Sequence, residues 1–434
     1  MTLPGTVDVV VSGAGAGGLA AARALGGTGL RVLVLDRRPT PAPTAKGEIL
    51  QPGAVRVLDD WGALDDLRAA DARPVDRLAI RDGDGAALLT VEYGTLPGPH
   101  RQVLCAAYED LCGAITRSLP DTVEIVRGVR VGGVLREGGR VAGVAADGGE
   151  VRARLVVAAD GMSSALRKDA GITVDRDEYP HRLLAFDVAD ADVPGEVTAY
   201  RTARGLRLVY PLPGRRCRLY VQVAPDEFRA TGLAELGRWV DRVLAEVPAL
   251  APLAPAVRAS LHRRQLFGVS RLRAGRLAVP GLALVGEAAH AVHPMAAQGV
   301  NSSLADAEAL AEALAEALGG APAARSVVDG GPAVDEALAA YEAARRPSLD
   351  HIAKVSHNAA RMITALSGAP RLLGARMMRR TAANPRLLRR TAGNMSGTDV
   401  RPLTFVDRLY QLGVLADRRA HDPHAADPRG SEVR

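Results

Sequence analysis

Lysine is almost absent from this 434-residue chain, aromatic residues make up 3% of it, and it has three cysteines, Cys105, Cys112 and Cys217. Each shortage excludes something. Three cysteines without a C-x-x-C pair build neither a disulfide framework nor a cysteine zinc site, and they read as indifferent thiols in a reducing cytoplasm. No basic cluster is interleaved with aromatic residues, which argues against nucleic acid as a partner. The net charge of +6 does not reverse this, because it is local. From His351 onward fifteen Lys/Arg face six Asp/Glu, and the preceding chain is slightly acidic. No uncharged apolar run reaches the about 20 residues that span a bilayer. The stretch VDVVVSGAGAGGLAAARALGG has the hydrophobicity of a signal peptide, but no Lys or Arg precedes it, Asp8 does, and Arg23 interrupts it. A cytoplasmic protein is expected.

What is abundant is apolar surface, at 47% of residues, enough for a large core or for two domains. Residues 7–36 read as strand, turn, helix, strand: VDVVVSG is β-branched, AGGLAAARALGG is helical, and LRVLVLD is a second strand. Helical spacing returns over 54–70, short alternating strands over 76–94, and a helix over 103–119. Valine-rich strands lead to ARLVVAADG. Alternation over 181–223 predicts an antiparallel sheet distinct from the first domain. A helix at 232–246, the strand LALVGEA, and an Ala-rich helix at 302–318 follow. GGAPAARSVVDGGPAV reads as a loop, and from 351 the chain is helical, basic and rich in Met and Leu. The fold class is α/β.

Chemistry is concentrated in three stretches. The first strand ends in Gly13-Ala14-Gly15-Ala16-Gly17-Gly18, a G-x-G-x-x-G through Gly13, Gly15 and Gly18. Glycines there permit a tight turn and let backbone N–H groups approach a pyrophosphate at a helix N-terminus. Asp36 closes the second strand about twenty residues on, where an acid accepts from a ribose diol. The second stretch is AADGMSSALR, with Asp160 and Gly161. The third is GEAAHAVHPMAAQGVNSS, residues 286–303, whose Glu287, His290 and His293 recur every third position. Metal ligands on a helix recur at i and i+4, whereas here strand, turn and loop intervene and no distant ligand pair is evident. No metal is expected.

Taken together, in this order and spacing, the three stretches resemble the FAD-dependent monooxygenases of the para-hydroxybenzoate hydroxylase superfamily. Those proteins carry an early G-x-G-x-x-G, a central D-G-x-x-S-x-x-R, and a late G-D-A-A-H-x-x-x-P-x-x-G-Q-G-x-N. The resemblance implies a discontinuous Rossmann-like FAD-binding domain (1–75, 101–178 and 269–350), an antiparallel-sheet substrate domain (76–100 and 179–268), and a C-terminal basic helical segment (351–434). It implies FAD as cofactor, NADH or NADPH as reductant and O2 as co-substrate, with oxygen inserted by hydroxylation or epoxidation through a flavin C4a-hydroperoxide.

It also implies roles. Gly13, Gly15, Gly18 and Asp36 would hold the ADP half of FAD, and Lys46 would join the cofactor site. Arg101 matches an R-x-x-L helix start beside the flavin. Asp160 and Gly161 would serve FAD and nicotinamide. Glu287 stands where the family has the Asp that bonds the ribityl chain. Gln298, Gly299, Val300 and Asn301, after Pro294, would turn backbone N–H groups toward the flavin pyrimidine edge. His290 is expected to be structural, while His293 and Pro294 would stand where substrate meets flavin. Two departures are notable: Glu287 for Asp, and Ala297 for the first Gly of G-Q-G.

KGEILQPGAVRVLDDWGAL is similar to a squalene-epoxidase segment through Gly47, Glu48, Gln51, Pro52 and Gly53. The expected substrate is therefore a small apolar molecule, isoprenoid, polyketide-like or phenolic, met by Glu48, Gln51, Tyr210, Pro211 and Tyr220. Two rival readings are a reductase of isoprenoid double bonds and a non-catalytic flavin carrier. The basic C-terminal helices either touch an anionic membrane or pack on the FAD domain; Pro370 and Pro385, which break any long amphipathic stripe, favour packing.

Overall fold

The computed structural model describes residues 3–41, 44–227, 232–318, 331–399 and 401–421. The β-branched strand Thr6–Ser12 lies in the middle of an eight-stranded sheet. It pairs in parallel with Val32–Asp36 on one side and Gly149–Ala158 on the other. Val123–Arg127 and Leu282–Leu284 extend the parallel order at either side, and an antiparallel hairpin of Val131–Glu137 and Arg140–Ala146 joins Gly149–Ala158. Val9, Val10 and Val11 are buried, as helices on both faces of a parallel sheet require. One of these is the helix Ala16–Gly26, which starts directly after the glycine turn.

A second eight-stranded sheet runs, edge to edge, through 290–291, 264–274, 174–188, 216–223, 205–212, 197–202, 77–82 and 87–92. It is antiparallel except where 197–202 meets 77–82. Alternation in the strand Gly205–Leu212 divides two cores. Leu206, Leu208, Tyr210 and Leu212 pack with Ile363, Met378 and Ala392 of the C-terminal helices. Val209 packs oppositely, with Leu236 and Val240 of the helix Leu233–Ala245.

Three expectations change. Val103–Cys105 is a strand, not the start of a helix, because it pairs with Ile49–Leu50 and Arg73–Val75 in a small third sheet. The helix follows at Tyr108–Arg117. The C-terminal helices also do not begin at 351: one helix, Gly331–Thr364, runs through that point with Pro347 inside it. Tyr341 bonds Leu284 O and Arg345 pairs with Asp306, so contacts before the proline tie it to the first sheet and its following helix. Finally, the Ala-rich helix starts earlier, at Gly299, and ends at Ala317. Most of the expected loop after it, residues 319–330, lies outside the described residues.

The basic C-terminal residues are partly neutralised inside the protein. Arg386 pairs with Asp407 at 2.6 Å and Asp417 at 2.8 Å, and Arg390 with Asp407 at 2.8 Å. No helix among the described residues is long and apolar enough to cross a membrane.

Candidate active site

A cleft of about 470 Å³ opens between the ends of the parallel strands and the second sheet. Backbone geometry makes its floor. Gly13 has φ +106°, and a Cβ there would stand 2.5 Å from Ala159 O; a Cβ on Gly18 would stand 1.8 Å from Gly13 O. Only glycine permits that close approach of strand and helix. Asp36 accepts from the backbone N–H groups of Ala14, at 2.6 Å, and Arg38, at 2.7 Å. It thereby fixes the turn from the strand beside it.

Asp160 faces the same cleft. Its Oδ2 accepts from Ala165 N–H at 2.8 Å, while its Oδ1 is buried without a partner. A buried acceptor left open costs stability unless a ligand donates to it. An orphan carboxylate oxygen and a second carboxylate at a strand end offer acceptors, and a helix N-terminus behind a glycine turn offers N–H donors, the set that a dinucleotide needs. The residues fit FAD.

The late motif forms the opposite wall. Gly286 turns at φ +62°, and Glu287 meets Lys46 at 2.5 Å with both side chains 39% exposed. His290 does not enter the cleft. It bonds Asp306 at 2.7 Å, and Arg345 and the Gly286 N–H converge on the same carboxylate. Burial raises the Asp306 pKa, but these three partners hold it below its ordinary value. A short turn, Pro294–Ala296, ends with Ala297 in the left-handed region at φ 49°, ψ 41°. The helix Gly299–Ala317 then starts with Gly299, Val300 and Asn301 lining the cleft. Asn301 accepts from Gln51 N–H at 2.8 Å and donates to Ile49 O at 3.1 Å, stapling the 49–51 segment to that helix.

The cleft is lined by Gly13, Gly15, Asp36, Lys46, Glu48, Asp160, Gly161, Tyr210, Tyr220, Glu287, Pro294, Gly299, Val300 and Asn301. Gly18 lies just behind, against Gly13. Glu48 is committed to the interior. Arg218 grips it through two bonds of 2.6 and 2.9 Å, and Tyr210 donates to it at 2.8 Å.

Five other candidates lie elsewhere. Arg101 is exposed and donates to Gly98 O; the helix it was expected to open starts seven residues later at Tyr108. Tyr108 lines the cleft, and its hydroxyl accepts from Ala16 N–H at 3.0 Å. Sequence reading missed it because an aromatic at a helix start reads as core. Pro211 is turned by strand alternation to the face opposite Tyr210. Gln51 is buried beside Asn301 and lines neither this cleft nor the apolar chamber that adjoins it. Gln298 donates to Met395 O at 2.9 Å and faces that chamber.

His293 is fully buried and touches neither space. Its Nδ1 accepts from Met295 N–H at 3.2 Å and its Nε2 meets His181 Nε2 at 2.9 Å, so it holds the Pro294 turn and has no reach to a substrate. Burial pushes its pKa down to about 3 and that of His181 down to about 4.

The adjoining chamber measures about 140 Å³. Leu78, Ile80 and Ala199 of the second sheet form one wall, Met295 and Ala296 of the turn another, and the C-terminal helices the rest. Leu208 lines both spaces, so the chamber lies directly behind the turn that faces the cleft.

A parallel α/β domain with a dinucleotide cleft, joined to an antiparallel sheet, is the architecture of an FAD-dependent oxidoreductase. Comparison with known proteins agrees. The family described as "FAD binding domain" matches residues 6–355. The 6-methylpretetramide 4-monooxygenase of Streptomyces rimosus is 30% identical over 401 residues, 89% of this chain and 92% of that protein. PqsL, a probable FAD-dependent monooxygenase from Pseudomonas aeruginosa, superposes with a TM-score of 0.73 at 28% identity, covering 83% of this chain and 97% of that one. The p-nitrophenol 4-monooxygenase PnpA from Pseudomonas putida DLL-E4 gives 0.73 at 25% identity, covering 92% and 100%. The chain belongs to the FAD-binding-domain family of flavin monooxygenases. It is an FAD-dependent oxidoreductase that uses NAD(P)H and O2.

Proposed function

We propose that this enzyme hydroxylates a phenolic, polyketide-like aromatic molecule. The observation that carries the reading is the apolar chamber behind the Pro294–Ala297 turn, on the side away from the nucleotide cleft. Residues on the cleft side hold the cofactor: Asp36 and Asp160 supply acceptors, and the helix after Gly15 faces a pyrophosphate. When bound, FAD supplies hydride storage and the activation of O2, and the protein supplies placement and exclusion of water. The N-terminus of the helix Gly299–Ala317 favours negative charge on the ring system held before it. Leu208, Met295 and Ala296 keep the chamber side dry.

The relatives' names favour an aromatic substrate over an isoprenoid one, and Glu48, one of the five residues of the epoxidase-like segment, is occupied by Arg218 and Tyr210. The reductase and carrier readings have no comparable support. We place the enzyme in the cytoplasm, where NAD(P)H is supplied and its three buried thiols stay reduced. The test is NAD(P)H oxidation by the purified holoenzyme against a panel of phenols and of isoprenoid alkenes. Phenols are expected to accelerate it in air and to leave as hydroxylated products. Anaerobic hydride transfer to an alkene would overturn the reading.

A further inference from the structure

Five of the seven methionines, Met295, Met362, Met377, Met378 and Met395, line the apolar chamber. They come from four separate elements: the Pro294 turn and the helices Gly331–Thr364, Gly368–Ala382 and Pro385–Ser396. Methionine is unbranched, with three soft torsions and a polarisable sulfur that contacts aromatic edges favourably. A wall built from it yields where leucine or isoleucine would resist.

Size makes this matter. At about 140 Å³ the chamber matches a cavity that takes a single benzene ring, about 150 Å³. Pockets for larger ligands run to roughly 300–1,000 Å³. A fused-ring molecule needs more room than the chamber offers, and the methionines are the side chains that move at least cost.

The chamber also has a polar pole. His351 and Asn394 both line it, joined by a 2.5 Å bond from His351 Nε2 to Asn394 Oδ1. The Asn394 amide donates to Arg390 O at 2.8 Å and Arg401 O at 2.9 Å, so its oxygen is the end that faces histidine. His351 Nε2 is therefore the donor, and in the neutral ring Nδ1 is left as an acceptor. A phenolic O–H is the complementary group.

We infer that the methionine wall determines specificity, opening the chamber from one ring to fused-ring aromatic molecules, with His351 Nδ1 accepting a ring hydroxyl. The inference rests on the hydroxylase reading for the chamber's role, but its test is binding. FAD-loaded enzyme is titrated calorimetrically with 4-methylphenol, 2-hydroxyanthraquinone and anthraquinone. The wild type is expected to bind the two phenols, and 2-hydroxyanthraquinone more tightly than anthraquinone. Met362→Ile with Met377→Ile should weaken the fused-ring phenol at least about tenfold and leave 4-methylphenol within about twofold. His351→Phe should abolish the preference for the hydroxylated anthraquinone. Flavin absorbance of each variant reports an intact fold. No binding of 2-hydroxyanthraquinone by the wild type overturns the inference, as does an equal effect, or no effect, of the isoleucines on both phenols. Fused-ring binding without oxygen insertion would leave the inference standing and defeat the hydroxylase reading. Hydroxylation of single-ring phenols alone would do the reverse.

Discussion

Ala297 is a non-glycine residue at φ 49°, ψ 41°, on the turn between the cofactor cleft and the chamber. That conformation costs an L-residue about 1–2 kcal/mol, less what glycine loses in the unfolded chain. Ala297→Gly should therefore stabilise the protein by about 1 kcal/mol, read from urea unfolding, with the flavin spectrum unchanged. A loss of stability would mean that the methyl group packs usefully. At this scale the sequence was most legible where the backbone itself sets the residue: Gly13, Gly18 and Asp36 are dictated by close approach and strand ends. It was least legible for Arg101, Pro211 and Gln298, because side-chain direction depends on a register that one sequence does not reveal.

Elements are held together by two buried polar clamps. Glu48 and Arg218 join the segment before the helix Pro52–Asp60 to the second sheet. Glu48→Gln takes from the buried Arg218 guanidinium its two-bond counter-charge, leaving Asp187 at 3.8 Å, and should cost about 3 kcal/mol in denaturant unfolding. A cost under about 1 kcal/mol would show that the ion pair is dispensable. The second clamp, His181 to His293, ties the strand Val174–Val188 to the Pro294 turn, with Tyr179 edge-on to His293 and bonded to His357.

Both clamp histidines titrate lower when folded than the unfolded value near 6.5, at about 4 and about 3. Below about pH 6.5 the unfolded chain binds protons that the native state refuses, so stability falls on acidification through the window down to about pH 3–4. Thermal midpoints should drop steadily from pH 6.5 to 4, and less so in His181→Gln; equal slopes would contradict the assignment. The strand at Val103–Cys105 shows why elements were only partly legible. Three apolar residues before a helix read as its first turn until two remote partners, Ile49–Leu50 and Arg73–Val75, are placed beside them.

For the whole molecule, the three ordered motifs made the α/β cofactor domain and the antiparallel sheet legible. The chamber was not, because its walls come from residues as far apart as Leu78 and Gln411 and assemble only when the C-terminal helices fold back. FAD held in the cleft would touch residues of both sheets, which line it together. With free FAD about 100 times its Kd, holoenzyme should be about 2.7 kcal/mol more stable than apoprotein, and Asp36→Ala should reduce that gain. An unchanged melting midpoint on adding FAD would show that the native protein does not bind it, and an undiminished gain in Asp36→Ala would place the cofactor away from Asp36. The central claim, oxygen insertion into an aromatic ring held behind the Pro294 turn, is tested most directly by turnover of a phenol under 18O2. The account predicts a product carrying one 18O atom from O2 and none when the label is in water; a product oxygen drawn from water, or a reduced product without new oxygen, would contradict it.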